Sequence, residues 1–231
     1  RYQYSLLSEE DSYVRKMFKE VDKLEINRDT KVVYQGIPGA YQEQAMVQFF
    51  GENISHFTAD EFKDVVVAVD EGKADYGILP IENTSAGTVS GIYDLLLNHD
   101  VCVVGEETVE CNHALVGIKG TDLSKVTKVY SHPQGLMQCK QFLDETGWDQ
   151  VRIRNTAVAA KKVADDNDPT KVAISSERAA KLYGLEVLKR KVNYEGNNCT
   201  RFVVMSKKKQ YRRDAGKVSI SFSLPHEDRK S

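Results

Sequence analysis

The chain has 231 residues, with 32 Lys+Arg against 34 Asp+Glu and a formal net charge of -2. That is enough for one large domain or two small lobes with a substantial core, and the near-neutral balance gives no electrostatic footing for nucleic acid or an anionic membrane surface. No apolar run approaches the ~20 residues that span a bilayer, and Arg1-Tyr2-Gln3-Tyr4 is neither a Met start nor a secretion signal, so the chain reads as cut from something longer.

Residues 10–25 place Val14, Met17, Phe18, Val21 and Leu24 at helical spacing between charged residues, which predicts an amphipathic helix outside the main core. Its apolar stripe is expected to seek a partner chain or lie across the core. From Lys31 strands alternate with helices. Residues 32–34 predict a strand, residues 36–39 a turn, and Tyr41, Ala45, Met46 and Phe49 one face of a helix. Thr58-Ala59-Asp60-Glu61 reads as a capping box before a helix carrying Phe62, Val65, Val66 and Val69. Residues 76–81 predict a strand, 89–97 a helix and 101–104 a strand. A second, similar block follows. Strands are predicted at 114–118, 126–130, 151–154, 172–174 and 202–205, with helices from Pro133, over 157–164, and over 176–183 before Gly184. Residues 207–213 form a basic run that reads as a solvated linker, and residues 218–224 alternate like a strand. The fold class is α/β with mostly parallel sheets and flanking helices.

The four cysteines, Cys102, Cys111, Cys139 and Cys199, form no Cys-x-x-Cys pair, and no histidine cluster has zinc spacing. They read as reduced thiols of a cytoplasmic protein. In doubly wound lobes, ligands bind past the carboxyl ends of strands, where free N–H groups of helix starts favour anions. Residues 36–39, 82–88, 131–134, 155–156 and 175–176 are such junctions, rich in small polar residues. Singly, each is ordinary helix capping. Together they suggest a cleft for a small acidic ligand. Gly36-x-x-Gly39 lacks the nucleotide fingerprints, Ser131-His132 has no nucleophile elbow, and His113 reads as a core or hinge histidine. Residue chemistry alone leaves an enzyme and a pure small-anion or amino-acid binding module both open.

At these junctions the sequence resembles the prephenate dehydratase family. The resemblance is carried in order by Gly36-Ile37-Pro38-Gly39, Pro80-Ile81-Glu82-Asn83, Ser131-His132-Pro133-Gln134 and Thr200-Arg201-Phe202, spanning about residues 31–206. Ala40 stands where that family usually has Ser or Thr, Thr84 where Ser is common, and Gly135 where Ala is common. The flanks fit too: residues 1–7 look like the end of a chorismate mutase domain, within a remnant-plus-linker reaching residue 30, and residues 217–231 like the start of an ACT regulatory domain after a linker at 207–216.

The resemblance implies a two-lobed, periplasmic-binding-protein-like fold with the active site in the interlobe cleft. Lobe one takes about residues 31–108 plus 190–206, and lobe two about 109–189. It implies loss of water and carbon dioxide from prephenate to give phenylpyruvate, with no cofactor and no metal, in an expected homodimer. Phenylalanine is expected as an effector only with a full ACT domain. Thr200 is implied as donor to the leaving hydroxyl, and Glu82 as a proton source if burial raises its pKa. Gly39, Asn83, Thr84, Gly87, Ser131, Gln134 and Gln138 are the expected binders of the dianion. Phe202 is expected to wall the pocket. Arg201, on the opposite strand face from Thr200, is expected to hold the lobes together.

Overall fold

A computed structural model of the protein describes residues 17–194 and 198–216. In chain order the elements are β1 (Lys19–Val21), β2 (Lys31–Gln35), α1 (Tyr41–Phe50), β3 (Ser55–Ala59), α2 (Phe62–Asp70), β4 (Tyr76–Asn83), β5 (Gly87–Thr88), α3 (Ile92–Leu97) and β6 (Cys102–Glu110). Then come β7 (Ala114–Gly117), β8 (Lys128–Ser131), α4 (Pro133–Gln138), α5 (Lys140–Asp144), β9 (Asp149–Arg152), α6 (Thr156–Asp166), β10 (Lys171–Ser175) and α7 (Glu177–Leu182). The last are β11 (Glu186–Lys189), β12 (Cys199–Ser206) and β13 (Gln210–Arg212).

Two sheets form two α/β lobes. The first has the order β3-β2-β4-β12-β6, with β5 paired to β4; the second has the order β11-β7-β10-β8-β9. Each has a parallel core, β3-β2-β4 in one and β10-β8-β9 in the other, extended by antiparallel strands. The period-2 alternation of strand side chains fills both faces. In the first sheet Val32, Tyr34, Ile78, Phe202 and Val204 bury into one apolar cluster, and Val33, Leu79, Ile81, Val203 and Met205 into the other. Each such side chain contributes about 1.5–3 kcal/mol on burial. The chain crosses between sheets after β6, through Cys111-Asn112-His113, and is back in the first sheet at β12.

The N-terminal expectation is corrected. Residues 19–21 form β1, which runs parallel to β13 in the register Lys19↔Gln210, and Val21 and Leu24 pack on the first lobe's core. Backbone pairing with a segment 191 residues away overrides the local helical spacing. Residues 10–16, the mutase-like residues 1–7 and the strand expected at 218–224 lie outside the described residues. The basic run is likewise not a plain linker: Gln210 is buried and its Nε2 donates to the Tyr76 hydroxyl. The capping box shifts to Glu61 and Asp64, because Thr58 is inside β3, paired with Tyr34. The strand expected at 101–104 extends to Glu110, and Gly105 lies under the Phe49 ring, which a Cβ there would meet at 2.6 Å. The described cysteines are free thiols. Among the described residues, no helix is long and apolar enough to cross a membrane.

Candidate active site

Between the lobes lies a cavity of about 510 Å³ whose walls come from both sheets. Strand β4 supplies Pro80 and Asn83, and β5 Gly87 and Thr88; β12 supplies Thr200 and Phe202; α4 and α6 bring Gln134, Gln138 and Thr156 from the second lobe. Pro80 and Asn83 are three residues apart, which strict alternation would send to opposite faces. The pairing of β12 with β4 steps from Arg201↔Glu82 to Phe202↔Pro80, a bulge that returns both to the cleft.

The Thr200 hydroxyl sits at the centre of the polar floor. Asn83 Nδ2 donates to Thr200 Oγ1 at 2.9 Å, and Cys111 Sγ lies 3.2 Å from the same oxygen. The orientation of Asn83 is fixed. Its Oδ1 accepts the Ser85 and Ala86 N–H groups at 3.1 and 3.0 Å, so Nδ2 must face Thr200, Asn198 Oδ1 and the Cys199 carbonyl. With Oγ1 accepting from Asn83, the hydroxyl hydrogen of Thr200 is left for the cleft or for the Cys111 sulfur. Burial pushes the Cys111 thiol up to about 11, so it stays protonated at neutral pH.

A second chain of bonds ties this floor to the other lobe. Gln138 Nε2 donates to Ser85 Oγ at 2.6 Å, and its Oε1 accepts from Asn198 Nδ2 at 3.0 Å and from His113 Nε2 at 2.7 Å. His113 therefore carries its proton on Nε2, and its Nδ1 accepts from the Tyr41 hydroxyl 3.1 Å away. Burial holds the His113 pKa below its ordinary 6.5. The sign follows from linkage. As pH falls through 6.5 the unfolded imidazole takes up a proton that the folded one refuses, so stability is present above that value and is lost below it. Thermal melts between pH 7 and 5 are expected to fall in midpoint, and His113→Gln is expected to remove part of that slope, at most about 1.4 kcal/mol per pH unit for one proton. An unchanged slope in that variant would show that His113 is not the titrating group.

Six of the expected site residues line the cavity: Thr200, Asn83, Gly87, Gln134, Gln138 and Phe202. The others do not. Glu82 is on the opposite face of β4 from Asn83, half-exposed, with Oε2 accepting from Arg201 Nη2 at 2.8 Å. The burial that its expected acid role requires is missing. Arg201 spans Glu82 and Glu106 within one sheet, so it braces strands and not lobes. Ser131 Oγ is fully buried and donates to the Ile174 carbonyl, close under Gly135, where a Cβ would come within 2.7 Å of it. Gly39 N–H is taken by Glu43 Oε2 at 2.6 Å, and Thr84 Oγ1 accepts the Cys199 N–H.

The lobes are joined instead by Glu43 with Arg178 Nε at 3.2 Å, and by the Tyr183 hydroxyl donating to the Pro38 carbonyl at 2.5 Å. Ala40 packs into the second lobe's apolar cluster and caps α1 with no side-chain bond, as its missing hydroxyl requires. Gln134 Nε2 is buried without a partner in the cavity wall, so it is a donor awaiting an acceptor. Tyr41, Cys111, His113, Arg154 and Asn198 also line the cleft and were not singled out as site residues from sequence.

The family model for prephenate dehydratase matches residues 32–210. A bifunctional chorismate mutase/prephenate dehydratase of Escherichia coli K12 is 37% identical over 182 residues, covering 77% of this chain and 47% of that protein. An arogenate dehydratase of Arabidopsis thaliana is 37% identical over 199 residues, covering 85% of this chain and 47% of that protein. This chain thus spans about half the length of the curated relatives it matches. A solved prephenate dehydratase from Arthrobacter aurescens, in complex with L-Phe, is 26% identical with a TM-score of 0.71, covering 77% of this chain and 60% of that one.

Proposed function

The chain belongs to the prephenate dehydratase family, and we propose that it removes water and carbon dioxide from prephenate to leave phenylpyruvate. What supports this most is the Thr200 hydroxyl, held by Asn83 and Cys111 on the floor of an interlobe cleft.

The reaction needs little from the protein beyond placement. Prephenate dianion and one proton give phenylpyruvate monoanion, carbon dioxide and water. The ring C–CO₂ bond breaks, its electron pair completes the aromatic ring, and the ring hydroxyl leaves as water. Aromatisation supplies the driving force. Thr200 donates a hydrogen bond to the departing hydroxyl; its oxygen accepts from Asn83 and lies where the protonated Cys111 thiol can donate to it as well, which frees its hydrogen for the cleft. The proton comes ultimately from solvent, because no carboxylic acid is among the described residues lining the cleft. Phe202 presents an apolar wall to the forming ring and leaves the scissile carboxylate poorly solvated. The Gln134 amide is the free side-chain donor for the carboxylate that stays.

By the same reading the protein serves phenylalanine biosynthesis in the cytoplasm as a homodimer, without a cofactor. Phenylalanine acts as effector only through a complete ACT domain. Incubating the protein with prephenate and following phenylpyruvate absorbance tests the activity. Product is expected. Saturable binding with lobe closure and no product would instead make it a binding module.

A further inference from the structure

The relatives include enzymes named for prephenate and for arogenate at the same identity, so relatedness does not choose between these substrates. The two differ at one group. Prephenate carries a keto oxygen where arogenate carries an ammonium, so the net charges are two negative and one negative. The walls of the cleft are not neutral toward that difference. Arg154 is the single permanently charged side chain among the described lining residues, which include no Asp or Glu. Its guanidinium is exposed and has no ion pair among the described residues. Asn155 follows it directly and caps α6, an eleven-residue helix whose first residue, Thr156, also lines the cavity, so the positive end of the helix dipole stands beside the guanidinium. The one fully buried side-chain atom without a partner among the described lining residues, Gln134 Nε2, is also a donor. The cleft histidines, His113 and His132, are held neutral by burial and bring no negative charge.

We propose that Arg154 is a specificity-determining residue that makes this cleft select the keto dianion, prephenate, over its amino analogue, arogenate. This deepens the dehydratase reading and rests on it. A keto oxygen and two carboxylates are all acceptors, matched to a wall of donors. An ammonium finds no carboxylate among the described lining residues and faces a fixed like charge, which is how a site rejects a near-isosteric competitor.

The test separates binding from turnover. Dissociation constants for prephenate and for arogenate are measured by calorimetry on the Thr200→Val protein, which is expected to hold substrate while consuming it at least about 10²–10³-fold more slowly, and again after adding Arg154→Glu or Arg154→Lys. Prephenate is expected to bind about tenfold or more tighter than arogenate. Arg154→Glu is expected to shrink that ratio by about tenfold or more, and Arg154→Lys to keep much of it, because the charge remains. Equal affinities, a ratio unmoved by Arg154→Glu, or no binding of either compound would overturn the assignment. Phenylpyruvate release by the unmutated protein is read in parallel. A binding preference that depends on Arg154 without any product would sink the dehydratase reading alone, and product formation without the preference would sink this inference alone.

Discussion

Thr200→Val is expected to lower prephenate turnover by at least about 10²–10³-fold, the usual cost of one preorganised donor, while leaving substrate affinity close to normal. Two features of the site make the variant informative. Val keeps the branched shape that β12 favours, so the strand should form. The substitution also strands no strong donor: the Asn83 amide keeps Asn198 Oδ1 at 2.9 Å and the Cys199 carbonyl at 3.2 Å, and the Cys111 thiol keeps the Val109 carbonyl at 3.8 Å. The fold should therefore lose no more than about 1 kcal/mol, the net value of a typical hydrogen bond. Because the donor acts on an oxygen that gains charge only as the C–O bond breaks, the loss belongs to kcat and not to KM. Circular dichroism, a thermal melt and steady-state kinetics decide it. A folded variant with near-normal turnover would remove Thr200 from the chemistry.

What the sequence carried and what it hid divide along physical lines. Strands whose side chains fill both faces of a sheet were legible, because runs such as Tyr76–Ile81 and Phe202–Met205 are too apolar to be anything else. Strand β3, Ser55–Ala59, was not. It lies at a sheet edge with nearly every residue exposed, so no burial imprinted an alternation on it. Segment 17–25 misled for the opposite reason: Val21 and Leu24 look helical locally, but β13 claims the backbone of Lys19–Val21.

The site shows the same division. Motif matches located the cleft because its corners are strand ends and helix starts, features written locally in the sequence. They did not tell how hydrogen bonds are shared out among residues more than 40 positions apart. Asn83, Thr84, Ser131 and Gln138 read as donors for a dianion, yet each already holds a protein partner, and their spending leaves Gln134 as the unpartnered side chain. His113 reads from sequence as a core or hinge histidine, and the change of lobe is expected at residues 108–109, close to Cys111-Asn112-His113, but nothing local to this loop marks Cys111 as a neighbour of the Thr200 hydroxyl.

Asn83→Asp is expected to be as damaging to turnover as loss of the Thr200 hydroxyl, although it changes one atom of one side chain. The amide works at both ends. Its oxygen accepts from Ser85 and Ala86 and shapes the turn, while its nitrogen donates to Asn198, Cys199 and Thr200. A carboxylate keeps the first set and inverts the second, setting acceptor against acceptor. The Thr200 hydroxyl would then turn its hydrogen to the new carboxylate and away from the cleft, which removes the donor without removing the residue. The turn should also loosen by about 1–3 kcal/mol, the cost of unsatisfied buried polar groups, seen as a lower melting midpoint. Two readouts separate this from mere unfolding. Adding Thr200→Val to Asn83→Asp should cost little further activity, because both changes disable one unit, whereas independent residues would multiply their losses. Activity of the single Asn83→Asp variant should also recover in part as pH is lowered and the introduced carboxyl takes up a proton, since it can then donate to Thr200 Oγ1 again. Multiplicative losses in the double variant, or a pH profile parallel to that of the unmutated protein, would show that Asn83 acts on the substrate directly and not through Thr200.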